Sequence, residues 1–167
     1  AHSALVSEDR YDWSEEVSIT TPDVPQQVPS FTSDASTTVE ARLRVNWTQV
    51  FSAPLDVTDY VIRYRAGSDT TWTDITLNVV SDLTDSQGAI QLLHDIDNLP
   101  RSNGPYRVTV AAKNGLSKTY DEDTGLVRNI NNDDLNFAPE QAANTFSAPN
   151  DVTNLAGVVP EDAGNSV

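Results

Sequence analysis

Val39-Glu40-Ala41-Arg42-Leu43-Arg44-Val45-Asn46-Trp47-Thr48 alternates without a break: every odd position is apolar and every even position polar. In an extended chain successive side chains point to opposite faces, so this stretch reads as a strand with one buried and one wet face. That division is typical of an antiparallel sheet. The same period recurs downstream. Tyr60, Ile62 and Tyr64 alternate with Val61, Arg63 and Arg65, and Thr71-Trp72-Thr73 reads as a short strand after the Ala66-Gly67-Ser68 turn. Ile90, Leu92 and Ile96 share one face of a further strand, with His94 among them. Tyr106, Val108, Val110 and Ala112 alternate with Arg107, Thr109, Ala111 and Lys113. Asn114-Gly115 then signals a turn, and Leu116 to Tyr120 opens a last strand. Short strands at this spacing, with turn signals between them and no helical period, predict an all-β sandwich or small barrel.

Upstream, residues 1–27 read as a lead-in. Ala4-Leu5-Val6 precedes the acidic, aromatic run Ser7 to Glu16, which holds Tyr11 and Trp13. Val17-Ser18-Ile19-Thr20 reads as a short strand, and the three prolines between Thr21 and Pro29 favour an extended linker. Residues 28–120 make the sandwich. Residues 121–147 are polar with scattered Leu126, Val127, Ile130, Leu135 and Phe137, and read as an insertion or linker able to contribute a strand.

Bulk properties narrow the function classes. The 167 residues suffice for one sandwich of about 100 residues with flanking segments. Ten basic against twenty-five acidic residues give a net charge of -15. Phosphate contacts need clustered Lys and Arg, so nucleic acid is excluded as a partner. No stretch has the apolar length of a transmembrane helix, which excludes membrane insertion by that route. The chain has no Cys, which removes disulfides and thiolate metal sites. It also lacks Met, so it reads as a piece of a longer or processed protein, and Ala1–Arg10 does not have the layout of a signal peptide.

No catalytic, cofactor-binding or metal-ligating residue is predicted, and the chain is read as a non-enzyme. His2 and His94 are far apart with no nucleophile pattern beside them. His94 is expected to be a partly buried strand residue. Asp121-x-Asp123-x-Gly125 resembles the start of a calcium loop, but Asn132 stands where the closing Glu belongs, so a solvated acidic turn is expected. Asn131-Asn132-Asp133-Asp134 is read the same way. Trp47, Tyr60, Tyr64, Trp72 and Tyr106 invite comparison with a sugar-stacking platform, but their spacing places them in a core. Asn46-Trp47-Thr48 has the N-glycosylation pattern in a strand, a poor acceptor site. Arg42, Arg44, Arg63 and Arg65 face outward on two neighbouring strands; cross-strand pairing with carboxylates is expected rather than a free basic patch.

The middle of the chain resembles a fibronectin type III domain over about 95 residues. The matching features are Trp47 at the end of one strand, a loop containing Pro54, Tyr60-x-Ile62-x-Tyr64, Trp72, and Leu99-Pro100 before Tyr106-x-Val108-x-Val110-x-Ala112-x-Asn114. The resemblance implies an immunoglobulin-type β-sandwich in which the Tyr106 hydroxyl bonds back to backbone near the preceding turn. The corner is one residue longer than is usual in the family. Residues 148–167, through Pro149 to Val158, are similar to the opening of a second, incomplete domain of this kind. Glu8-Asp9-Arg10-Tyr11, Glu15-Glu16 and the proline-rich lead-in are similar to the tail-tip attachment, or central fibre, proteins of long-tailed bacteriophages. That resemblance implies a virion structural protein, a homotrimer beside other tail-tip proteins, with a host cell-surface receptor as a further partner. The alternative is a fibronectin type III spacer or binding module of a secreted bacterial enzyme or adhesin, extracellular or on the cell surface.

Overall fold

A computed structural model describes residues 17–35, 41–83, 90–100 and 105–145. The acidic, aromatic segment up to Glu16 and the stretch 148–167 lie outside the described residues. Among the described residues, nine strands follow in chain order: β1 Phe31–Ala35, β2 Leu43–Thr48, β3 Val57–Ala66, β4 Thr73–Asn78, β5 Gln91–Ile96, β6 Tyr106–Asn114, β7 Lys118–Asp121, β8 Leu126–Asn129 and β9 Gln141–Ala143. They form an antiparallel three-stranded sheet ordered β1-β2-β5, an antiparallel four-stranded sheet ordered β4-β3-β6-β9, and a separate β7-β8 hairpin.

The larger sheets pack face to face, and period-two alternation creates the core between them. Leu43, Val45 and Trp47 of β2 are fully buried and meet Tyr60, Ile62, Val108 and Val110 of the opposite sheet in one cluster. The Trp47 and Tyr60 rings lie 5.4 Å apart at 56°, within the tilted range that aromatic pairs prefer. The Tyr60 hydroxyl accepts a hydrogen bond from the Val50 amide at 2.8 Å, tying the β2–β3 connection to the core. The fold is therefore an all-β sandwich, as the alternation predicts.

The corner before β6 has the expected bond. Tyr106 is buried, and its hydroxyl donates to the Pro100 carbonyl at 2.7 Å. Tyr106→Phe removes the donor. An expected loss of about 1–2 kcal/mol, read from urea denaturation, checks this; an unchanged midpoint would show that the bond contributes nothing net.

Several expectations require correction. The strand read over 39–48 begins at Leu43, because Ala41 occupies a left-handed turn (φ 57) and its carbonyl accepts from the Leu99 amide. Val17–Thr20 forms no strand, and Val17 and Ile19 are exposed. Ile90 precedes β5 and is exposed rather than sharing its buried face. The strand expected over 116–120 begins at Lys118 and joins neither sheet; it pairs only with β8. The sandwich does not end at Tyr120. β9 is the outermost strand beside β6, with Tyr106 opposite Ala143 and Val108 opposite Gln141.

Candidate functional site

The main polar constellation lies on the outer face of the four-stranded sheet. Val61 of β3 and Ala111 of β6 point away from the sandwich core yet are fully buried, because Leu135, Ile130 and Phe137 cover them. Arg63, on the same face of β3, has its side chain only 13% exposed. It binds Asp74 of β4 through two contacts, Nε at 2.8 Å and Nη2 at 3.0 Å. It also reaches Asp133 at 2.9 Å, and its guanidinium carbon sits 4.5 Å from the Phe137 ring centroid. A planar guanidinium can bind carboxylates at its edge and an aromatic ring on its face at once.

The covering segment has its own local architecture. Asn131 caps a 3₁₀ turn at Asn132–Asp134 by accepting from the Asp133 amide at 2.8 Å, while the Asp134 carboxylate accepts from the Asn131 amide at 2.8 Å. Arg128 pairs with Asp134, and Asn132 donates to Asp74 at 3.0 Å. The run 131–134 is the acidic turn expected from sequence, with Asp133 80% exposed, and it also clips the segment to β3 and β4 through Asp133 and Asn132. The signal for this cover was present in Tyr60-Val61-Ile62 and Val110-Ala111-Ala112, which are apolar on both faces. Such runs mark strands buried on both sides.

Arg44 lies in β2 of the opposite sheet and Arg42 just before that strand. Arg44 binds Asp95 of β5 through two contacts at 2.8 Å, and Arg42 bonds Asp97 with Asp95 at 3.4 Å. Arg65 lies 3.6 Å from Glu140, stacks over Trp72 at 4.5 Å and donates to the Asp69 carbonyl at 3.0 Å. The four arginines thus pair with carboxylates as expected. They belong to two different sheets, however, and cannot form one patch on neighbouring strands.

Hydrogen bonds from Arg63 hold the Asp74 carboxyl below the ordinary carboxylate range, and Arg44 and Arg128 do the same for Asp95 and Asp134. A carboxylate whose folded pKa is depressed contributes stability that is present above its unfolded pKa and lost as pH falls through the folded one. Thermal stability is therefore expected to fall steeply with acidification below about pH 4. Thermal scans from neutral to acid pH check this. Asp74→Asn should flatten that acid limb; an unaltered limb would rule out the Asp74 contribution.

The remaining candidates have structural roles. Trp47, Tyr60 and Tyr106 are buried in the core, Tyr64 packs half-buried against it, and Trp72 is half-buried under Arg65. No continuous aromatic platform results. His94 is half-buried on β5, and burial pushes its pKa below the ordinary value against the pull of Asp95, Asp97 and Asp82. Asp121 accepts from the amides of Asp123 at 3.0 Å and Thr124 at 2.9 Å, and Gly125 takes the left-handed conformation (φ 67). Its carboxylate therefore holds the hairpin turn. Asn46 lies within β2 between β1 and β5. Among the described residues, no three carboxylates or histidines are gathered as metal ligands.

The lead-in is partly docked. Pro25 and Val28 are buried, Asn114 donates to the Asp23 carbonyl at 2.7 Å, and Asn136 donates to the Pro25 carbonyl at 2.8 Å. Gln27 bonds the Phe137 carbonyl. A shallow groove of about 340 Å³ runs between this segment and the β2–β3 connection, lined by Thr20, Thr21, Val24, Gln26, Phe51 and Ser52 among others. No protein-family model matches the chain, and no curated protein sequence does either.

Proposed function

We propose that this chain is a non-catalytic structural module: a fibronectin type III region of a phage tail-tip or central fibre protein, serving as a spacer and as a host-surface adhesion module. The observation that carries the reading is the docked lead-in. Asp23, Pro25 and Gln27 are bonded to Asn114, Asn136 and Phe137, each at least 91 positions later in the chain. A segment held in this way sets the direction in which the sandwich leaves whatever precedes it, as a spacer requires and a loose tether does not. The sheet order β1-β2-β5 over β4-β3-β6-β9, with Trp47 in the core and the Tyr106 corner bond, supports the type III assignment. Arg44, Arg63 and Arg65 are paired with carboxylates of the same chain, which leaves them a structural role.

The reading implies a homotrimer in the virion, beside other tail-tip proteins. Sedimentation of the parent chain tests it: three chain masses are expected. A monomeric parent, or a parent reading frame that carries a glycosidase or a cell-wall anchor, would overturn it in favour of a spacer in a secreted enzyme or adhesin.

A further inference from the structure

β1 and β9 lie in different sheets, yet the segments that carry them run side by side. Pro25 is bonded to Asn136, Gln27 to Phe137 and Phe31 to Gln141, so both segments advance in the same direction. Val28 to Phe31 face Ala138 to Gln141 across a shallow groove. Pro22, Pro25, Pro29 and Pro139 have no N–H, so a regular backbone ladder cannot join the two. Side-chain carboxamides take its place. Asn136 donates to the Pro25 carbonyl at 2.8 Å, Gln141 donates to the Phe31 carbonyl at 2.7 Å, and Gln27 donates to the Phe137 carbonyl. Pro25, Val28, Phe31, Ala138 and Ala143 are buried along the pair.

The two segments leave the sandwich at opposite ends. The Asp23 carbonyl is held by Asn114, the last residue of β6, whereas Ala143 pairs with Tyr106, the first. The length of β6 separates these points, about 26 Å at an ordinary strand rise. A pull on the two ends of the chain therefore draws residues 23–31 one way and residues 136–143 the other, each along its own length. Bonds that cross between segments sliding past one another stretch together and share the load. Bonds at a peeling front break one after another under a smaller load.

From this geometry we infer that the pair is a load-bearing clamp that holds the module together when it is pulled from both ends, with Gln27, Asn136 and Gln141 as its fasteners. The inference rests on the spacer reading and deepens it, because it gives the spacer resistance to tension along its axis. Single-molecule pulling of the full 167-residue chain tests it. The chain has no Cys, so introduced cysteines are unique attachment points. One geometry attaches the two termini. The other attaches the N-terminus and Glu122→Cys, at the turn of the hairpin that follows the Asn114 end of β6. That second pull starts at Asp23 and peels the lead-in away instead of sliding it.

At one applied force, the wild-type chain should unfold more slowly when held by its termini. Forced unfolding reads the unfolding rate. The triple variant Q27A/N136A/Q141A should unfold about tenfold faster in that geometry, the effect of three lost bonds of modest strength, with its rate in the other geometry nearly unchanged. The three side chains are exposed or half-buried, so the variant keeps its sandwich, which a thermal scan checks. Q27A alone should show a smaller acceleration with the same dependence on geometry. Equal wild-type rates in the two geometries overturn the clamp, as does equal acceleration of the variants in both. Either result leaves the proposed function to the parent-chain measurement.

Discussion

A chain ending after Tyr120 loses cooperative unfolding, whereas one ending after Thr145 retains it. The shorter chain lacks β9, so β6 becomes an unpaired edge. It also lacks the bond from the Ala138 amide to the Val110 carbonyl, and the Thr109 hydroxyl loses its acceptor at the Ala138 carbonyl. Val61 and Ala111, fully buried in the complete domain, lose the cover of Leu135, Ile130 and Phe137. Arg63 loses Asp133 and the Phe137 ring. Uncovering one large aliphatic side chain costs about 1.5–3 kcal/mol, and a typical domain has a margin of about 5–15 kcal/mol. The combined losses are of the size of that margin. Circular dichroism during thermal scans of the two chains checks this. A sharp transition in the chain ending at Tyr120 would show that residues 121–145 are an accessory to a sandwich complete without them.

Replacing Trp47 with Ala is expected to cost about 3–5 kcal/mol, the range for emptying a buried aromatic site. Trp47 lies at the centre of the sandwich between β1 and β5, fully buried against Tyr60. Among the described residues its indole Nε1 has no hydrogen-bond partner, so the side chain contributes there through packing. Leaving such a donor buried and unpaired costs roughly 1–3 kcal/mol. Trp47→Phe removes that penalty along with part of the packing, and its net loss should be well below that of Trp47→Ala. Denaturant midpoints of the three proteins decide the matter. Equal losses in the two variants would mean that Nε1 is not a penalised donor.

Much of the sandwich could be read from local pattern because side-chain direction along a strand has a fixed period. Leu43, Val45 and Trp47 had to share a face, as did Tyr60 and Ile62, and Tyr106, Val108 and Val110; each set lies in the core. Pairing of Arg42, Arg44, Arg63 and Arg65 with carboxylates was legible for the same reason, since cross-strand neighbours are close wherever strands pair. The identity of some partners was not. Asp133 and Glu140 reach Arg63 and Arg65 from a segment without strand periodicity, placed there by long-range folding.

Exposure shows the same limit: Ile19 and Ile90 stand 81% and 70% exposed. Pattern reading assigned Ile19 to a strand and Ile90 to a buried face, because local apolarity looks alike whether a side chain is covered or not.

Local alternation therefore settled the fold class and most of the core, because the two-residue period is a property of the extended backbone itself. Where the domain ends, what covers the outer face of β3 and β6, and which loops share an end depend on contacts between residues tens of positions apart. Those contacts are set by the order in which strands pair and cross between sheets, and no window of sequence contains it. Val39 to Thr48 shows both sides of the division: its alternation predicts the β2 core, while the turn at Ala41, held by the Leu99 amide, sets where the strand begins.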